Sequence, residues 1–384
     1  MPEQSRGVTE MVEDVLEFCI RRIGTVLVAS FLAVFVLTIP QLANWWLQVQ
    51  ILKDVAESGI FERLFFGRAS PDEFMQMLAA ASPGEGAEQI SALLSVTAFL
   101  AWLVAAPLLK GALTLLVAGD ALGAPVGAGE AWRGAIRRGG WLVLVEIVKS
   151  IVLYIVLIFS TVIAAVMGWV LWVTLQGLLG AMGPLGIFLS VFGFVMGTGL
   201  IALAPVVILY LLWVFTVPAL LFERGSFAAF SRSIALVRSP RPGGFWRSHS
   251  IRLTLLLTLA VIVLVVAFLP AFAPWIIWTI RQVRSAASGN IQAIFSFFSV
   301  PAPVFVSFAV LFFAIKLVLS PFFPGVIAAY YVDTRASSQA GEKENLAKHL
   351  RALCSGEALP EPAAPGGLPP APASPPPGRW PDGV

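Results

Sequence analysis

Four charged side chains stand inside long apolar runs of this chain: Lys110, Glu146, Lys149 and Lys316. Lys110 and Lys149 each lie about nine residues from a polar boundary, roughly 13 Å along a helix. Glu146 precedes Lys149 by three residues, a spacing at which two side chains on one helix can pair. Lys316 falls near the middle of the last run. A charge at the centre of a bilayer costs on the order of 3 kcal/mol on insertion scales, so each of these residues needs a partner. Two readings stand. In one, the four line a polar pocket in the inner-leaflet half of the membrane, where the ammonium groups hold a lipid phosphate or another anion. In the other, each lysine snorkels to the interface or is neutralised by Glu146.

Other chemistry finds little to work with. His249 and His349 are the only histidines and sit in separate segments, far from the clustered ligands that metal-assisted hydrolysis needs. A nucleophile elbow, a phosphate-cradling glycine loop and paired catalytic carboxylates are missing. No catalytic residue, metal, cofactor or nucleic-acid partner is expected, and the chain is not read as an enzyme.

The class follows from composition. Of 384 residues, 58% are hydrophobic and only 12% charged, and mean hydropathy is +0.87. Such a chain belongs in a bilayer, where a helix of about 20 apolar residues satisfies its own backbone hydrogen bonds across the hydrocarbon. Six spans are expected, over residues 23–46, 91–118, 141–173, 184–222, 251–278 and 303–330. The third and fourth exceed what a bilayer requires, so they must tilt, protrude or break. No polar turn near Pro205 divides the fourth. The fold class is therefore an all-α, polytopic helical bundle with six transmembrane helices.

Orientation comes from the basic residues. Segments on the N-terminal side, with Arg252, carry seventeen Lys and Arg, against five in the opposite segments 47–90, 174–183 and 279–300. Both termini are thus expected in the cytoplasm and the protein in the inner membrane. Segment 47–90 holds seven acids, and Ser70-Pro71-Asp72-Glu73 there has the form of a helix start. The first apolar run is too long for a signal core and reads as an uncleaved span. Cys19 and Cys354, the only cysteines, both fall on the expected cytoplasmic side, so no disulfide is expected.

A pattern recurs at a shift of 98 residues. Ala106-Pro107 falls on Ala204-Pro205, Ala121-Leu122 on Ala219-Leu220, Gly127 on Gly225 and Ile136 on Ile234. In each copy a span with an internal proline is followed by a basic amphipathic segment, and Gly-Gly-aromatic opens the next span. The copies, 106–141 and 204–246, run in the same direction, a parallel duplication. Ala131, Trp132, Ala135 and Ile136 form the apolar stripe of the first connecting segment; Phe227, Phe230, Ile234 and Val237 form that of the second. These two interfacial helices are expected to turn their rings to acyl chains and their arginines to headgroups. Arg133, Arg137, Arg232, Arg238, Arg241 and Arg247 are candidate headgroup contacts, with simple topology anchoring as the alternative. Gly193, Gly197 and Gly199 fit a small-residue packing face.

At these residues the chain resembles a family. Residues 217–223 (VPALLFE), 228–238 (AAFSRSIALVR), Phe245-Trp246-Arg247 and the closing Tyr330-Tyr331-Val332-Asp333-Thr334-Arg335 are similar to the membrane domain attached to some bacterial glycerophosphodiester phosphodiesterases and to related stand-alone membrane proteins of unknown function. The likeness runs from about Glu17 to Leu353. It implies a bacterial setting. No soluble hydrolase domain accompanies it here, so hydrolysis is not implied.

Beyond the spans, residues 333–354 read as a cytoplasmic helix with Leu346, Leu350 and Leu353 in register. Residues 355–384 hold ten prolines and read as an extended, disordered tail, able to offer a polyproline ligand to a protein partner. Together with segment 1–22 and the membrane domain 23–332, these divide the chain. The expected function is a membrane module that binds lipids or a partner, with a transporter or lipid translocator using the buried lysines as the alternative.

Overall fold

A computed structural model describes residues 7–57, 85–179, 184–223, 226–238, 248–287, 300–336 and 341–357. The described residues form helices and contain no strand. In chain order these are α1 (Val8–Arg21), α2 (Ile23–Glu57), α3 (Glu85–Ala121), α4 (Ala128–Arg137), α5 (Gly139–Leu179), α6 (Pro184–Leu212), α7 (Thr216–Phe222), α8 (Ala228–Arg238), α9 (His249–Ala287), α10 (Ala302–Leu319), α11 (Phe322–Ala336) and α12 (Glu342–Ser355). Six stretches are long and apolar enough to cross a membrane: Ile23–Gln50, Gln89–Ala121, Gly139–Leu175, Gly193–Phe222, His249–Ser285 and Ala302–Ala336. The protein is an integral, multi-pass membrane protein with an all-α bundle. Ser70 to Glu73, Arg241, Arg247 and the proline-rich tail lie outside the described residues.

The short helices gather at one end of the bundle, which carries the basic segments. There α1, α3, α4, α7, α11 and α12 share one continuous core. Met11, Val12, Val15, Phe18 and Cys19 of α1 are buried, as are Leu113, Leu115 and Leu116 of α3 and every residue of α7. Both α1 and α4 start in the same way. The Gly7 amide donates to Glu10 Oε2 at 2.6 Å and the Gly127 amide to Glu130 Oε2 at 2.8 Å, so a glutamate three residues on satisfies an amide at the helix start.

Away from this end the spans loosen. The helices α5 and α6 pack chiefly on each other, and Tyr154, Phe159, Trp169, Leu200 and Leu203 stay exposed, as side chains facing lipid would. Gly168 and Gly197 set their spacing. A Cβ at Gly168 would run into Thr198, and one at Gly197 would sit 2.6 Å from Leu171 Cδ2. Gly193 likewise faces Leu175, whereas Gly199 faces open space, so the small-residue face comprises Gly193 and Gly197 but not Gly199. At 41 residues, α5 is unbroken and about 60 Å long, twice the hydrocarbon thickness.

Two expected spans contain breaks. The helix runs through Pro205, as the sequence reading requires, but the fourth span then turns at residues 213–215 before α7 resumes. This exposes backbone groups where water is absent, and Ser233 of α8 answers them. Its buried Oγ accepts from the Phe215 amide at 3.1 Å and donates to the Leu212 carbonyl at 2.8 Å. Thr216 Oγ1 adds a bond to the Trp213 carbonyl at 2.6 Å. In the first copy of the repeat, the position 98 residues earlier is Ala135, and there α3 is continuous and has no gap to fill. The sixth span breaks at Ser320-Pro321. Ser320 Oγ donates to Ser30 Oγ of α2 at 2.7 Å and lies 3.0 Å from the Leu317 carbonyl.

The arginine-bearing helices also differ from the expected stripe. In α4 the buried residues are Ala131, Gly134 and Ala135, while Ile136 is 62% exposed. Trp132 turns inward to α2, and its indole N–H donates to the Ala29 carbonyl at 2.8 Å. The reason is α12, which covers α4 from the other side. A Cβ on Gly134 would meet Leu115 Cδ1 at 2.8 Å and Cys354 Sγ at 3.3 Å, so only glycine lets α3, α4 and α12 approach this closely. In α8 the buried residues are Ala229, Ser233, Leu236 and Val237. Phe230 stacks edge-on against Trp213 at 4.8 Å, and Phe227 against Trp141 at 5.7 Å.

Replacing Ser233 by alanine strands the buried Phe215 amide and takes a donor from the Leu212 carbonyl. Ser233→Ala is expected to lower unfolding stability by about 1–3 kcal/mol, read as a reduced midpoint of thermal unfolding in detergent. Ser231→Ala, on an exposed position of the same helix, is expected to leave the midpoint unchanged.

Candidate functional site

Lys110 and Glu146 come together because α3 and α5 approach closely beside them. Gly111 faces Leu142, where an added Cβ would stand 2.7 Å from Leu142 Cδ1. Leu142 is one turn before Glu146, and Gly111 adjoins Lys110, so this contact brings the two charges within reach across the interface. Lys110 Nζ donates to Glu146 Oε1 at 2.9 Å. Lys149 Nζ lies 3.8 Å from the same oxygen and 4.7 Å from the centre of the Tyr210 ring on α6, a cation–π contact. Three helices therefore build the cluster.

Exposure orders its members. The Lys149 side chain is 5% exposed, Glu146 15% and Lys110 28%. Lys110 is thus the most open of the three. Elsewhere the three helices present Trp102, Val104, Leu144, Ile151, Val207 and Ile208 as exposed apolar residues. With all three groups ionised, two cations share one carboxylate and one positive charge is in excess. Lys316 stands apart. Its ammonium lies 5.8 Å from the centre of the Phe312 ring on its own helix, and it makes no ion pair with the cluster among the described residues.

The candidate headgroup arginines divide. Arg133 and Arg238 are exposed. Arg137 Nη1 donates to the Ala352 carbonyl at 3.1 Å and so clasps α12. Arg232 belongs to a second polar cluster that sequence reasoning did not identify, centred on Glu223 at the end of α7. The Glu223 carboxylate takes Arg232 Nε at 3.1 Å and the Tyr331 hydroxyl at 2.9 Å, with Arg335 Nη1 3.9 Å away. Arg335 in turn donates to Glu342 of α12 at 2.5 Å. Arg138 Nη2 reaches the Glu223 carbonyl at 3.5 Å. The signal was present in the sequence, since Glu223 is the lone acid between Glu146 and Asp333. A single carboxylate among several arginines has to be shared.

The aromatic residues of α11 complete this end. Tyr330 stacks on Phe215 at 5.7 Å, and its hydroxyl lies 3.1 Å from His249 Nδ1. Tyr331 stacks on Phe222 at 5.9 Å. On α12, burial and then the Arg138 charge push the His349 imidazole below its ordinary value, so the ring is neutral at pH 7. Asp120 at the end of α3 takes Arg21 at 2.6 Å and Arg22 at 3.4 Å, tying α1 to the bundle.

Nucleophilic chemistry has no support in the cysteines. Both thiols are free and buried, and burial pushes Cys19 up to about 12 and Cys354 up to about 11, so neither is a thiolate at neutral pH. Among the described residues no group of three His, Cys, Asp or Glu side chains is placed to hold a metal ion. The Glu223 cluster joins helices and satisfies its own charges. In the Lys110 cluster, which lies within the spans, two ammonium groups face one carboxylate.

No family model, curated protein or solved structure matches the chain, so the resemblance drawn from its motifs rests on those motifs.

Glu223→Ala strips one acceptor from Arg232, Tyr331 and Arg335 together. The variant is expected to lose about 1–3 kcal/mol of stability, the usual cost of removing hydrogen bonds to a charged group that is half-buried. It is also expected to loosen α12, read as faster tryptic cleavage at Lys348 and Arg351 than in the wild type.

Proposed function

We propose that the protein is a membrane-embedded binding module whose ligand is an anionic lipid headgroup, held at Lys110 and Lys149. The observation that carries this reading is the surplus positive charge: two lysines share the carboxylate of Glu146 within a membrane-spanning region, and Lys110 is the more open of the two. An isolated cation at such depth costs on the order of 3 kcal/mol, and a lipid phosphate that pairs with it offsets that cost. Seventeen basic residues against five support a cytoplasmic position for this half of the bundle, and with that orientation the lipid comes from the inner leaflet. The helices α4 and α12 act as a rigid base that fixes α3 against α5.

Binding is favoured over passage by the hydroxyls farther along α5 and α6. Ser160 donates to the Ala202 carbonyl at 2.7 Å, Thr174 to Val170 at 2.8 Å and Thr198 to Phe194 at 2.6 Å. These groups serve the backbone and do not line a polar route.

Native mass spectrometry of the protein released from nanodiscs containing equal anionic and zwitterionic lipid tests the proposal. The wild type is expected to retain anionic lipid, and Lys110→Gln/Lys149→Gln to retain at least tenfold less. An identical lipid complement in both would refute it.

A further inference from the structure

We infer that the site selects a headgroup bearing one negative charge over one bearing two. This rests on the lipid-binding reading above and adds to it the charge class of the ligand. Charge within a membrane span is poorly screened, so the count of charges in the cluster decides which headgroup it accepts. Lys110, Glu146 and Lys149 together carry a single excess positive charge, and the Tyr210 ring that flanks Lys149 supplies no ionic partner. A headgroup with one negative charge leaves the assembly neutral. One with two leaves it negative, with no further cation in contact with the cluster among the described residues, and water and salt do little to screen that excess at this depth.

The geometry also supplies a way for the ligand to enter. Glu146 Oε1 is 2.9 Å from Lys110 and 3.8 Å from Lys149, so both lysines already share one oxygen. When a phosphate meets the more open Lys110, the carboxylate needs to shift by only about an ångström to take Lys149 as its main partner. Lys110 then faces the ligand, and Glu146 with Lys149 forms the neutral pair behind it. In this arrangement Glu146 sets the charge of the site without touching the lipid.

The test uses the full-length protein in mixed micelles at pH 7, titrated by native mass spectrometry with phosphatidylglycerol, whose phosphodiester carries one charge, and phosphatidate. The phosphomonoester of phosphatidate has a second ionisation near pH 6 and so carries close to two charges. The wild type is expected to prefer phosphatidylglycerol by about tenfold, and Glu146→Gln, with two excess charges, to invert that order. A preference arising from headgroup size would survive Glu146→Gln unchanged, which would overturn the inference. So would a wild type that binds both equally or favours phosphatidate, while the lipid-binding reading would stand. Retention of neither lipid by the wild type would remove the reading itself. Should Glu146→Gln not fold, Lys149→Gln decides, because it leaves Lys110 and Glu146 as a neutral pair. It is expected to lose the tenfold preference and bind phosphatidylcholine as well as phosphatidylglycerol; a preference kept in full would contradict the charge count.

Discussion

A polar group in hydrocarbon has no water to turn to, and this constraint governs the whole molecule. Several places where a span departs from a plain apolar helix carry their own internal answer. The turn in the fourth span is closed by one serine hydroxyl from α8, which both accepts and donates. The break in the sixth is tied to α2 through a pair of serines. Glu223, the lone acid over a long stretch of chain, is shared among an arginine, a tyrosine and a second arginine. In the Lys110 cluster the same accounting does not close, because one carboxylate faces two ammonium groups. Function is therefore sought at the place where the internal balance is incomplete.

The distribution of packing fits this view. The basic end is a continuous core in which α7 is wholly buried against the tyrosines of α11, and α12 seals α4 from outside. Farther along the spans, α5 and α6 pair through small residues and otherwise present apolar side chains outward. Rigid packing lies directly beside the charged cluster, at the close contact of Gly111 with Leu142, which fixes the spacing of Lys110 and Glu146. A site meant to keep a buried charge in place needs such a support, since a loose interface would let each lysine snorkel away.

Much of the architecture was legible in the sequence because hydropathy is strong and local. The spans, the repeat and the amphipathic connecting segments all follow from runs and periods. The pairing of Glu146 with Lys149 followed from a spacing of three. What the sequence concealed depended on contacts between distant segments. Trp132 looks like a ring for the lipid interface, yet its indole binds a carbonyl of α2, because α12 covers the other face of α4. No propensity rule marks the turn at residues 213–215, whose partner lies about twenty residues further on. Lys316 resembles its fellow lysines by type and depth, but its helix does not bring it to the cluster. Glu223 was visible as a lone acid, although which arginines it would gather was not.

In the proposed site Lys110 meets an anionic headgroup, with Glu146 and Lys149 behind it. The most direct measurement is a cryo-electron microscopy map of the protein in nanodiscs that contain phosphatidylglycerol. The account predicts phosphate density within salt-bridge distance of Lys110 Nζ, with the Glu146 carboxylate moved toward Lys149. Acyl-chain density alone at that position, with Lys110 and Glu146 still paired, would contradict it.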